Sequence, residues 1–384
     1  IRWSGADAEF IKRAEDREIC RRLMTEIGVY MAASTTVKSY DEAAAFVQTN
    51  RFPVVVRPSF TLGGTGGGIA YNLNELKQVI DRALSTSPVS EALVEESLLG
   101  WKEIELEVVR DRADNAVVVC GIENFDPMGI HTGDSITVAP IQTMANDEYQ
   151  ILRKEGIAIV RAVGVETGGC NIQFAVCPKT GKRAVIEMNP RVSRSSALAS
   201  KATGFPIARV ATKLALGYNL DEIPNSITRQ SCAAFEPAVD YCVVKAARFD
   251  FEKFPGTDAS LGFQMKAVGE TMALGRTFRE ATQKALRGLE IGQAGFTERP
   301  ARPGETYAPL ETRLRVPGPY RIFFIKEAMR KGFSNERISD ITAIDPWFIH
   351  QLWMIYDQES RIADVIGPLS REQAPQPGPD EAAQ

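Results

Sequence analysis

The stretch Glu187-Met188-Asn189-Pro190-Arg191-Val192-Ser193-Arg194-Ser195-Ser196 decides how this 384-residue chain is read. A short apolar run, Ala184-Val185-Ile186, leads into it. Side chains alternate across a strand, so Glu187 and Asn189 share one face while Ile186 and Met188 take the other. A carboxylate and an amide oxygen then stand side by side, with Arg191 and Arg194 just beyond. Hard oxygen donors next to fixed positive charge suit Mg²⁺ carrying a nucleotide phosphate. An edge strand running into a basic turn accounts for this segment equally well.

The preceding segment, Asn171-Ile172-Gln173-Phe174-Ala175-Val176, alternates polar and apolar in the same way. The connection Cys177-Pro178-Lys179-Thr180-Gly181-Lys182-Arg183 is rich in turn residues. A hairpin closing symmetrically about Thr180 sets Gln173 opposite Glu187. A one-residue slip would send them to opposite faces. This register gathers Gln173, Glu187 and Asn189 as three oxygen donors, with waters and phosphate oxygens completing an octahedron. The polar outer face of an ordinary hairpin would show the same pattern.

Upstream, Phe52-Pro53-Val54-Val55-Val56-Arg57-Pro58 reads as a buried strand ending at an arginine, followed by SFTLGGTGGG over 59–68. Five glycines in six residues leave bare backbone N–H groups able to fold around phosphate oxygens. No Lys-Ser or Lys-Thr follows, so the loop is not a Walker A. The spacing also fails the dinucleotide fingerprint, and Ile69-Ala70-Tyr71 looks like a returning strand. A glycine flap between two strands fits better. A floppy surface hairpin is the plain alternative, and Arg57 at the base favours phosphate.

Together these residues resemble the ATP-grasp fold. More narrowly, they resemble the first, carboxyphosphate-forming half of the large chain of carbamoyl-phosphate synthetase. The matching strings are RPSFTLGGTGGG (57–68), IENFD (122–126), MGIHTGDSITVAP (128–140), ETGG (166–169) and EMNPRVSRSSALASKATG (187–204). The similarity runs nearly without gaps from Ala6 to Gly288. It implies an α+β chain: an ATP-grasp domain over 1–290, then a small all-α domain.

The resemblance also implies roles. Arg17 and Arg57 would bind nucleotide phosphates, and Gly63 and Gly64 would contact them from the flap. Glu96 and Leu98 match the strand that reads adenine, and Glu103 would hold the ribose. Gly129, Ile130 and His131 would line the nucleotide site. Gln173, Glu187 and Asn189 would hold Mg²⁺ or Mn²⁺, with Gln173 and Glu187 also touching ATP. Arg191 and Arg194, with His131, would sit where bicarbonate meets the transferring phosphoryl group. Bicarbonate would become carboxyphosphate, and ammonia from a glutaminase (small) subunit would turn that into carbamate, serving pyrimidine and arginine biosynthesis. Catalysis of this kind needs positioning and charge stabilisation rather than a protein nucleophile. The glycine flap would close over the intermediate to exclude water.

Several of these residues read differently on local grounds. Glu103, Glu105 and Glu107 alternate with Ile104, Leu106 and Val108, as on the wet face of a half-buried strand. His131 sits in a Gly-rich loop as a turn residue would, and Arg17 fits a charged helix face. Only the resemblance lifts Arg17, Glu103 and His131 above those readings. The other histidine, His350, reads as structural.

Composition sets bounds. At 44% apolar, the chain can fill two or three globular units. A net charge of −4 gives no reason to expect nucleic acid. No stretch reaches the roughly 20 apolar residues of a membrane span. Cysteines 20, 120, 170, 177, 232 and 242 lack C-x-x-C spacing and read as reduced, buried thiols of a cytoplasmic protein. A start at Ile1, with no signal peptide, reads as a fragment. The family's preceding domain, second grasp copy and allosteric domain have no counterpart here. Carbamate would be phosphorylated elsewhere, by the remaining large-chain domains.

Periodicity predicts helices near 73–84 and over 145–163. A helical pattern over Ser195–Tyr218 breaks at Gly204-Phe205-Pro206. A Pro/Arg/Gly-rich linker is expected over 291–319, and the helical pattern over 320–363 resembles the start of the family's oligomerisation domain. Its helices are Tyr320–Arg330 and one opening at Asp345-Pro346. Their aromatic surface should pack on another domain or on a second copy. The segment 364–384 reads as a disordered tail. Two rivals remain open. One is another bicarbonate-activating ATP-grasp ligase such as a biotin carboxylase. The other is an inactive assembly fragment.

Overall fold

The computed structural model describes residues 7–61, 65–254, 256–299 and 307–373. The chain opens with α1 (Ala8–Glu15) and α2 (Arg17–Glu26). A small unit follows: β1 (Ser34–Val37), α3 (Tyr40–Thr49), β2 (Val54–Pro58), β3 (Gly68–Ala70), α4 (Leu73–Thr86) and β4 (Ala92–Glu96). Its antiparallel sheet runs β1-β4-β2-β3. The returning strand after the glycine run is β3, paired with β2. Leu62, Gly63 and Gly64 lie outside the described residues.

The larger sheet is built from β5 (Lys102–Arg110), β6 (Ala116–Asn124), β7 (Thr137–Ala139), β8 (Gly168–Val176), β9 (Arg183–Asn189), β10 (Cys242–Arg248) and β11 (Gly269–Gly275). Their order is β11-β10-β7-β6-β5-β8-β9, antiparallel throughout. One face, with Ile104, Leu106, Val108 and Phe174, packs under α1, α2 and α5 (Asn146–Val163). The other is covered by α6 (Arg194–Thr203) and α7 (Ile207–Ala215), which carry Leu198, Ile207 and Val210 into it. Each large apolar side chain buried this way stabilises by roughly 1.5–3 kcal/mol. The break between α6 and α7 falls at Gly204, whose φ of 74° suits a residue without Cβ.

The last third departs from expectation in two places. Among the described residues of 291–319, the expected linker holds one short helix, α9 (Leu310–Arg315), and buries Phe296 and Leu314 completely. Its Pro and Gly content shortens the helical stretch without preventing burial. Beyond it come α10 (Arg321–Arg330), α11 (Asn335–Thr342) and α12 (Pro346–Gln373), after α8 (Phe278–Gly288) at the end of the sheet. The sequence reading had no counterpart for α11. The expected tail is helical through Gln373, because extending a formed helix costs less than starting one. Residues 374–384 lie outside the described residues.

The helices do pack on another part of the protein: their own sheet. Phe348 lies 5.3 Å from Phe125 and 5.1 Å from Phe278. One apolar cluster runs from Val138 and Val244 in the sheet through α8 and Phe296 to α10 and α12. Lys102 and Asp345 pair at 2.6 Å across this boundary, and Arg321 pairs with Asp126. His350 is exposed and stacks on Trp353. All six cysteines are free; Cys177 and Cys232 are partly exposed rather than buried. Among the described residues, no helix is long and apolar enough to cross a membrane.

Candidate active site

The β8–β9 hairpin does set Gln173 opposite Glu187, but not by closing about Thr180. Near the turn the pairs are Val176 with Arg183 and Phe174 with Val185. Ile186 is then left unpaired as a bulge, and beyond it Gln173 faces Glu187 and Asn171 faces Asn189. The freed carbonyl of Ile186 accepts a hydrogen bond from Arg17 Nη1 at 2.9 Å. Arg17 is placed for this by the cap of α2, where Asp16 accepts the N–H groups of Glu18 and Ile19.

The register extends into β5, giving two polar rows: Glu105–Gln173–Glu187 and Glu107–Asn171–Asn189. The Asn189 amide nitrogen donates to Glu187 Oε1 at 3.0 Å, which leaves its oxygen available. Asn171 Nδ2 donates to both Glu105 (2.8 Å) and Glu107 (2.9 Å). Ser195 and Ser196, in the first turn of α6, donate to Glu105 and Glu107 at 2.7 Å each.

Glu103, Glu105 and Glu107 therefore do not form a wet face. They are 3%, 1% and 1% exposed, and α6 closes over Glu105 and Glu107 through Ser195 and Ser196. Alternation marks a polar face but not whether water or protein covers it. Burial, with Glu105 adding to it, pushes Glu103 up to about 8. Burial also raises Glu107 to about 8, against the Ser196 and Asn171 donors.

Two neighbouring cavities divide the expected site residues. One is lined by Arg17, Arg57, Glu96, Leu98 and Gly129. There Arg57 pairs with Glu95 at 2.6 Å, and Glu96 accepts from Tyr30 Oη at 2.7 Å. The other, of about 220 Å³, brings together Gln173, Glu187, Asn189, Arg191, Arg194 and His131. Three segments wall both: Ile186 and Glu187, Gly129 and His131, and Phe263 and Met265. Glu103 and Ile130 are buried and line neither cavity. Gly63 and Gly64 lie outside the described residues.

Burial keeps the His131 imidazole below its ordinary pKa. Its Nδ1 accepts the Gly133 N–H at 3.0 Å, so the neutral ring carries its proton on Nε2. Arg194 opens α6 and contacts Met265 Sδ at 3.0 Å. Arg191 and Arg194 are exposed at the cavity mouth. The donor set is one carboxylate and two amides, all hard oxygen, and fits Mg²⁺. Among the described residues, no group of three His, Cys, Asp or Glu side chains forms a rival centre.

Sequence reasoning passed over Glu105, Asn171, Ser195, Lys245, Phe263 and Met265. Two of them left signals. Asn171 stands two residues before Gln173 and so shares its face. Lys245 is a lone charge inside the apolar run Cys242–Ala247.

Known proteins share this chain's sequence and its fold. A family model described as the carbamoyl-phosphate synthase L chain, ATP binding domain, matches residues 16–223. Another, for the carbamoyl-phosphate synthetase large chain oligomerisation domain, matches residues 270–375. The carbamoyl phosphate synthase large chain of Archaeoglobus fulgidus is 54% identical over 371 residues, covering 97% of this chain and 34% of its own length. That of Gemmatimonas aurantiaca is 57% identical over 368 residues, covering 94% and 34%. The chain thus spans about a third of the length of the curated relatives it matches.

A biotin carboxylase from Campylobacter jejuni superposes with a TM-score of 0.61 at 15% identity, over 88% of this chain and 77% of that one. The biotin carboxylase domain of Hydrogenobacter thermophilus 2-oxoglutarate carboxylase, solved with MgADP, ADP and bicarbonate, gives 0.57 at 17%, over 72% and 66%. At such identities the likeness is one of fold, the ATP-grasp fold. By its two family matches and its identity to the large chains, the chain belongs to the carbamoyl-phosphate synthetase large-chain family.

Proposed function

We propose that this chain phosphorylates bicarbonate with ATP to carboxyphosphate and allows ammonia to convert it to carbamate, the first part of carbamoyl phosphate synthesis. The observation that carries this reading is one cavity wall bearing Gln173, Glu187, Asn189, Arg191, Arg194 and His131, next to a cavity bearing Arg17 and Arg57.

The nucleotide lies along Arg17, Arg57, Glu96, Leu98 and Gly129, and Gly63, Gly64, Glu103 and Ile130 are assigned to it as further contacts by the resemblance to the family. Gln173, Glu187 and Asn189 hold Mg²⁺ or Mn²⁺, which when bound neutralises and orients phosphate oxygens. Arg191 and Arg194 hold bicarbonate by its anionic oxygens. A bicarbonate oxygen attacks the γ-phosphorus and ADP leaves. Arg194 and the His131 Nε2–H stabilise charge on the equatorial oxygens. Ammonia then attacks the carboxyl carbon, phosphate departs and a proton is released to give carbamate. The partners are a glutaminase subunit as ammonia source and the remaining large-chain domains or a second copy, in the cytoplasm.

The test is ATP hydrolysis with Mg²⁺, with and without bicarbonate. Stimulation by bicarbonate is expected, and Glu187→Gln should lower it at least about 100-fold. No stimulation together with no nucleotide binding refutes the reading and leaves an assembly role. Transfer to biotin rather than ammonia would make the chain a carboxylase.

A further inference from the structure

Lys245 walls the metal-side cavity, yet the reaction scheme gives it no task. It sits mid-strand in β10, paired with Thr137 of β7 on one side and Met272 of β11 on the other, and is 4% exposed. An ammonium buried this far needs an acceptor for each proton. Lys245 Nζ has three: the carbonyls of Ser135 at 2.6 Å, Thr132 at 3.2 Å and Gly133 at 3.3 Å. An ammonium carries three protons, so none is left for a substrate oxygen. Burial lowers its pKa, while Glu270, Glu105, Asp126 and Asp134 hold it up.

All three acceptors belong to the loop that starts at His131. The same loop is gripped from its other side. The His131 N–H donates to Gly262 O at 2.7 Å. The Asp134 carboxylate accepts the N–H groups of Lys266 (2.9 Å) and Ala267 (2.8 Å). The gripping segment carries Phe263 into one cavity and Met265 into the other.

We infer that Lys245 is a positioning residue: its ammonium pins the carbonyls of Thr132, Gly133 and Ser135 to β10. It thereby fixes His131 and, through Asp134, the Phe263–Met265 segment across both cavities. Only the kinetic arm of its test rests on the function proposed above.

Lys245→Met keeps an unbranched stem as far as Cε and removes the ammonium with its three donors. Hydrogen exchange is the first readout. Amides of His131, Asp134, Ser135, Lys266 and Ala267 should exchange at least about tenfold faster, while β5 and β8 keep their parent rates. Unchanged rates, or a uniform rise across the chain, overturn the inference.

Bicarbonate-dependent ATP hydrolysis is the second readout. kcat should fall roughly 10- to 100-fold because His131 loses its fixed place, with a smaller rise in the KM for ATP as Phe263 is released on the nucleotide side. A raised KM at parental kcat counts against it. In Lys245→Ala, propylammonium should restore both the exchange pattern and part of kcat; no restoration of either counts against it. If the parent shows no bicarbonate-dependent hydrolysis while the local exchange contrast holds, the functional reading falls and the fastening role stands.

Discussion

Asn171→Asp tests the polar rows most directly. Asn171 is 1% exposed, and its one amide nitrogen serves Glu105 at 2.8 Å and Glu107 at 2.9 Å. The substitution replaces that donor with an acceptor of nearly the same shape. Both carboxyl groups lose their shared donor, and the clash is worked for the nearer of them, Glu105. Two like charges at 2.8 Å repel by about 6 kcal/mol at an effective dielectric of about 20. The protein avoids that by protonating the introduced carboxyl. With an ordinary carboxyl pKa near 4, this costs about 4 kcal/mol at pH 7 and about 1.4 kcal/mol at pH 5. Urea unfolding at both pH values reads the difference. A loss of about 4 kcal/mol at pH 7 that shrinks to about 1–2 at pH 5 is expected, a large part of a typical domain's stability. A loss under about 1 kcal/mol at pH 7, or one equal at both pH values, would refute the assignment of Asn171 as the shared donor.

Three further outcomes can be checked. Gly129 has φ of 120° and a Cβ there would come within 2.6 Å of Leu99 Cδ2; Gly129→Ala should destabilise by about 1–3 kcal/mol and weaken ATP binding by calorimetry. Glu103 and Glu107 have raised folded pKa values, so their contribution is full below the unfolded carboxyl range near 4.5 and is gone above about 8. The urea midpoint should fall as pH climbs through that window, and Glu103→Gln should flatten the slope; a midpoint rising with pH contradicts this sign. Phe348→Ala, at 1% exposure between Phe125 and Phe278, should cost about 3–5 kcal/mol. It should shift a single unfolding transition, whereas a separate early transition would show that the helices are an independent unit.

Much of the site was legible because strand periodicity is strict. Gln173, Glu187 and Asn189 were brought to one face by counting twos, and Arg191 and Arg194 by adjacency. What was hidden depended on long-range cover. Nothing local in Glu105 and Glu107 says that α6, some ninety residues on, closes over them. The flap strand β3 and the α6–α7 break followed from glycine and proline chemistry. Over 291–319 the same chemistry gave no sign that Phe296 and Leu314 enter the core. The shared core of sheet and terminal helices could not be read from either part alone, since each shows only that it has an apolar face to cover.

The unpaired Ile186 gives the hairpin a spare link. Loss of one residue from the Cys177–Lys182 connection could be absorbed by straightening β9 there, and Gln173 would still meet Glu187. Length drift at the tip is thus kept away from the donor row, at the cost of turning the buried Ala184 and Val185 to opposite faces. The tether from Arg17 would be the casualty, because a regular ladder would reclaim the carbonyl it holds.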